Sequence, residues 1–143
     1  MKTRMFALLS MLVLVVAACG NSAESTAPSA SVDAGKGDYK ACLSLDTGGP
    51  ADKNFNQSAY EGLQALEADG FQIAYTTAVD DSSYAPNIQQ LIDQGCNTVI
   101  AVGYNQGTAL QAAVVDAANA DIAFGWVDAT WALEDGTIPA NFT

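Results

Sequence analysis

An α/β fold, a partial doubly wound parallel sheet, is what this 143-residue sequence predicts. Strand-like and helix-like periods alternate four times between Asp38 and Val127, and the connections have the length of helical crossovers. The run Asn97 to Val102 (NTVIAV) is nearly continuous in apolar, mostly β-branched residues, as in a strand covered on both faces. Crossovers in such a sheet are right-handed, and the order 2-1-3-4 makes its first and third strands neighbours.

Each element has its own signal. Tyr39 to Leu45 (YKACLSL) is β-compatible and stops at the turn formers Asp46-Thr-Gly-Gly-Pro. Phe55, Ala59, Leu63 and Leu66 then recur at helical spacing, and Gly70 closes that helix. Phe71 to Thr77 (FQIAYTT) is the second strand, ending near Asp80-Asp81-Ser-Ser. In the second helix Pro86 suits the first turn, Ile88, Leu91 and Ile92 form the buried stripe, and Gly95 ends it. The third strand, Asn97 to Val102, stops at Gly103-Tyr-Asn-Gln-Gly; a helix follows from about Thr108 to Ala120, with Leu110, Ala113, Val114 and Ala117 on one face. Ile122 to Val127 (IAFGWV) is the fourth strand, ending at Asp128, and Thr137 to Thr143 could begin a fifth.

Ligands of open α/β sheets bind outside the carboxyl ends of the strands. Those ends are Asp46 to Asn56, Asp80 to Ser83, Gly103 to Asn105, and Asp128. Carboxylates such as Asp46 and Asp128 can accept hydrogen bonds from hydroxyl or ring N–H groups, and a ring such as Phe55 can stack on a planar ligand. Asp52 has the spacing of a helix cap.

Composition excludes several function classes. The chain has no His, which removes Ser-His-Asp and Cys-His chemistry and His metal ligands. It also lacks G-x-G-x-x-G, G-x-x-x-x-G-K-[ST] and G-x-S-x-G, and its Asp spacing does not match an EF-hand, so neither an enzyme, a metal site nor a cofactor is expected. Five Lys and Arg stand against sixteen Asp and Glu, and without Lys2 and Arg4 the net charge is −13. Such a chain repels phosphate backbones, so nucleic acid is not an expected partner.

Lys2 and Arg4 precede the fourteen-residue apolar run Met5 to Ala18, a signal-peptide length that is short of a membrane span. The run ends Val16-Ala-Ala-Cys19-Gly, which resembles the bacterial lipobox, so residues 1–18 are expected to be a lipoprotein signal peptide and Cys19 the lipid-carrying N-terminus. Residues 19–37, rich in Ser, Ala and Gly, read as a flexible tether, leaving 38–143 for the fold. Cys42 and Cys96 lie toward the N-terminal ends of neighbouring strands in the exported part. A bridge between them and a pair of buried free thiols are equally compatible with that placement.

The segment Asp46-Thr-Gly-Gly-Pro-Ala-Asp-Lys-Asn-Phe-Asn-Gln-Ser-Ala-Tyr-Glu-Gly-Leu resembles the first-strand signature of the basic membrane protein family, the PnrA-like lipid-anchored substrate-binding proteins of nucleoside ABC importers. Tyr84-Ala-Pro-Asn-Ile, Leu91 through Tyr104, and Phe124-Gly-Trp-Val-Asp128 are similar to that family too, so the resemblance covers about residues 39 to 128. It implies a type I periplasmic-binding-protein-like first lobe, a nucleoside ligand with purine nucleosides favoured, an ABC permease partner, and a lipid-anchored position on the extracytoplasmic face of the cell membrane. Carried over by residue, Phe55 would stack on the nucleobase, Asn56 would hydrogen-bond its edge, and Asp46 and Asp128 would take polar contacts. The structural alternatives are a hydrophobic staple for Phe55, an exposed first-turn position for Asn56, and turn-forming roles for Asp46 and Asp128. The family pocket lies between two lobes, whereas this sequence stops at Thr143, before a second lobe begins; weak binding or none is expected of it alone. A sugar-binding type I receptor, a ligand sensor and a non-functional truncated product are the competing expectations.

Overall fold

In the computed structural model, which describes residues 35–143, four parallel strands form one sheet in the order β2-β1-β3-β4. The strands are β1 (Lys40–Leu45), β2 (Gln72–Thr77), β3 (Thr98–Val102) and β4 (Ala123–Val127), and the helices between them are α1 (Phe55–Ala68), α2 (Tyr84–Asp93) and α3 (Gly107–Val115). The expected order and the alternation of elements are both present.

Strand periodicity sorts the central residues into two cores. Cys42 of β1, Val99 and Ala101 of β3 and Phe124 of β4 pack with Ile88 and Leu91 of α2 and Leu110 and Val114 of α3. Ala41, Leu43 and Leu45 of β1 and Val102 of β3 instead meet Leu63 of α1, with Ala59, Ile73, Ile100 and Val127 around them. Helices thus cover both faces, which is why β1 is buried along nearly its whole length.

A disulfide joins Cys42 to Cys96, with a Cα–Cα distance of 6.1 Å across 54 positions of sequence. The same corner is tied by Asn97, whose side-chain oxygen accepts from the Lys40 backbone N–H at 2.8 Å while its own N–H donates to the Lys40 carbonyl at 2.9 Å.

Two elements differ from expectation. The third helix ends at Val115, not near Ala120: Asp116 is extended (ψ 119°), its side chain accepts from the Ala118 N–H, and a 3-10 turn over Ala117–Asn119 follows. That Asp competes with the helical backbone for a local bond. The fifth strand reduces to one parallel rung, Phe124 to Phe142, in which the Phe124 N–H donates to Asn141 and the Thr143 N–H donates to Phe124.

Candidate functional site

At the carboxyl end of β1 the chain leaves the sheet at Asp46 and enters α1 at Phe55 through a loop held by side chains. Asp46 Oδ1 accepts from the Gly48 N–H at 2.8 Å and from Asn56 Nδ2 at 2.5 Å. Asp52 caps the helix from two residues before its formal N-cap, with Oδ1 accepting from the N–H groups of Asn54 and Gln57 at 2.8 and 3.0 Å. Its Oδ2 accepts from the Asn56 N–H at 3.3 Å and from Asn56 Nδ2 at 3.0 Å. Partial burial alone would push the Asp52 carboxyl up, but the N–H groups of Asn54, Gln57 and Asn56 and the Asn56 amide together hold it below the usual carboxylate value.

The carboxyl end of β3 approaches from the other side of β1. Gly103 adopts φ +109°, and a Cβ there would stand 2.6 Å from Asp46 Oδ2, so both the backbone conformation and the close approach require glycine. The Gly103 carbonyl accepts from Trp126 Nε1 at 3.0 Å, which links β4 to this turn. Gln106, fully buried, bridges β1 and β3: its Oε1 accepts from Ser44 Oγ at 2.6 Å, and its Nε2 donates to the carbonyls of Ser44 and Val102 at 2.7 and 2.8 Å. From the sequence, Gly103 counts only as part of a strand-end loop, and Gln106 and Trp126 are given no part in shaping the site. Only the glycine at a strand end could have signalled its role.

The expected contact residues fall into three situations. Phe55 presents its ring from the first position of α1 and is 50% exposed. Asp128 follows β4, is exposed, and holds φ +78°, a left-handed conformation that Asp tolerates better than most residues. Asp46 is half-buried, and its Oδ2 has no hydrogen-bond partner among the described residues. Asn56 departs from both readings of it: at 1% exposure it is neither an exposed first-turn residue nor open toward a base, because both amide hydrogens are committed inside the chain. Tyr104, beside Gly103, is exposed. The Tyr84 hydroxyl is buried with no hydrogen-bond partner among the described residues; burial and then the neighbouring Asp81 carboxylate push its pKa up.

Two surface grooves include none of Asp46, Phe55, Asn56 and Asp128 in their walls. One, about 410 Å³, runs along α1 and the sheet past Leu43, Leu63, Leu66 and Ile100; the other, about 480 Å³, lies between the starts of α2 and α3 beside Asp81, Tyr84, Asn105 and Thr108. Among the described residues no group of three or more Cys, Asp and Glu could hold a metal ion, and no helix is long and apolar enough to cross a membrane. Cys19, the leader and residues 19–34 of the tether lie outside the described residues.

An exposed ring and two carboxylates thus lie together at the carboxyl edge of a parallel sheet, over a frame of buried amides. Solved structures share the fold. A fragment from Peptoclostridium difficile 630 superposes with a TM-score of 0.60 at 22% identity, covering 73% of this chain and 82% of that one. An ABC transporter system solute-binding protein from Conexibacter woesei superposes with a TM-score of 0.51 at 24% identity, over 61% of this chain and 28% of that one.

The family model described as ABC transporter substrate-binding protein PnrA-like matches residues 40–142, and the chain belongs to that family. Among curated relatives, the CD4+ T-cell-stimulating antigen of Listeria innocua is 31% identical over 123 residues, spanning 78% of this chain and 33% of the relative. The ABC transporter nucleoside-binding protein BmpA of Lactococcus lactis is 32% identical over 106 residues, spanning 71% of this chain and 29% of the relative. The chain thus spans about a third of the length of the curated relatives it matches.

Proposed function

We propose that this chain is the first-lobe part of a lipid-anchored, extracytoplasmic binding protein that captures nucleosides, purine nucleosides foremost, and presents them to an ABC permease. Residues 1–18 act as the signal peptide, Cys19 carries the lipid, residues 19–37 form the tether, and residues 38–143 supply the binding face. The observation that carries this reading is Asp46: one carboxylate oxygen is fixed inside the loop, while the other is without a partner, on the same sheet edge as the exposed Phe55 ring. The family match and the Lactococcus lactis relative, a nucleoside-binding protein by name, support nucleosides as the solute class.

On this reading the nucleobase stacks on Phe55, a ligand N–H or O–H donates to Asp46 Oδ2, and Asp128 accepts a second donor. Asn56 serves by holding Asp46. These residues supply one wall of a pocket, and a facing lobe would add the wall that excludes water. Calorimetric titration of the chain with millimolar inosine, guanosine and ribose tests the proposal. Purine nucleosides should release heat with a saturating isotherm and ribose should not. Saturation by ribose without inosine would transfer the protein to the sugar-binding class.

A further inference from the structure

The structure assigns to Asn56 the role of a positioning residue, which grips Asp46 so that one carboxylate oxygen is committed within the chain and the other is left for a ligand. Its functional half rests on the nucleoside-binding reading above; its structural half does not.

Three hydrogen-bonding functions of the Asn56 amide are in use, and two of them fall on Asp46. Nδ2 donates to Asp46 Oδ1 at 2.5 Å and Oδ1 accepts from the Asp46 backbone N–H at 3.3 Å, so the residue is held at side chain and main chain together. The remaining amide hydrogen goes to Asp52 Oδ2 at 3.0 Å. Two carboxylate acceptors on one side and one N–H donor on the other leave a single sensible orientation for the amide, with nitrogen toward the carboxylates. Gly48 closes over it: a Cβ there would stand 2.9 Å from Asn56 Nδ2 and 3.2 Å from Asp46 Oδ1.

Asp46 Oδ2 is different. It has no hydrogen-bond partner among the described residues and lies against Gly103, the position at which a side chain would collide with it. A neutral amide is suited to this task because it binds two carboxylates at once without adding charge. The titratable groups around it are Asp46 and Asp52 from the same connection and, from α2 and the turn before it, Tyr84 with Asp81 beside it; Asp46 contributes to the upward push on the Tyr84 hydroxyl. Lys53 is the cation of the connection and is exposed.

Asn56→Asp is the discriminating variant, because it aims a third carboxylate at two others. Like charges at these separations force one group to keep a proton, and an O–H then replaces the lost amide N–H. With inosine as probe, wild-type affinity should stay flat from about pH 5 to about pH 8, while the variant should bind about tenfold more weakly at the upper end and recover toward wild type at the lower. A loss that is the same at every pH, or no loss, overturns the inference. A ligand-free arm follows the Asp46 carboxyl carbon by NMR: its midpoint should move upward in the variant, and an unmoved midpoint overturns the inference. If inosine fails to bind wild type, the nucleoside reading falls, and the carboxyl titration alone decides the role of Asn56. Should Asn56→Asp not fold, Asn56→Ala should shift the Asp46 carboxyl resonance and weaken inosine about tenfold with no pH dependence. An unchanged resonance in that variant likewise overturns the assignment.

Discussion

Replacing both Cys42 and Cys96 by Ala should remove about 4 kcal/mol of stability, nearly all of it through the unfolded chain. The bridge closes a loop of 54 positions, for which loop-closure entropy gives that figure at room temperature. In the folded state the same corner is held independently: Lys40 exchanges two backbone-to-Asn97 hydrogen bonds, its Nζ donates to the Gln94 carbonyl at 2.8 Å, and both sulfurs sit in the core of Ile88, Leu91 and Val99. Native geometry should therefore survive the substitution while the unfolded ensemble expands. Urea unfolding followed by tryptophan fluorescence measures both effects, since a looser unfolded state exposes more surface and raises the denaturant slope. A small domain with typical stability of about 5–15 kcal/mol would move close to its threshold, or below it at the low end. A loss under about 1 kcal/mol with an unchanged slope would refute the entropic reasoning.

Other outcomes follow from the site. On the proposed stacking role, Phe55→Ala should weaken inosine binding by about 1–3 kcal/mol in calorimetric titration, and it should leave the urea midpoint nearly unchanged because the ring is half exposed. Gly103→Ala should cost about 1–3 kcal/mol of stability from its φ of +109° and should displace Asp46 as well, so inosine affinity falls further than stability alone accounts for. Asp52 titrates below its unfolded value, so its contribution to stability is complete above that value and is lost as the pH falls through the lower, folded one. Asp52→Asn should accordingly flatten the acid side of a thermal melting series and leave the neutral region with the weaker cap alone.

The parallel sheet was legible because β-branched runs and crossover-length helices leave few alternatives, and strand order followed from the same logic. Asn56 was not legible as a buried group. Its place in the first turn of α1 suggests solvent, and only the return of Asp46 onto it, ten positions earlier in sequence, encloses it. Gln106 carries no local signal either, since its partners Ser44 and Val102 belong to two different strands. Phe55 and Asp128 were readable as strand-end residues, but exposure and backbone conformation are properties of the folded chain. The overextended third helix had a visible warning in Asp116, whose preference for local backbone bonding competes with helix continuation.

Gln106 and Asn56, with Trp126, tie the loops of the binding face together through groups that carry no charge of their own. A chain with a formal net charge of −11 repels itself, and that repulsion rises and falls with the ionic strength around it. Amide and indole donors are nearly indifferent to such screening. Dilute and saline surroundings should therefore alter how readily this protein approaches charged surfaces while leaving the spacing of Asp46, Gly103 and Trp126 as it is.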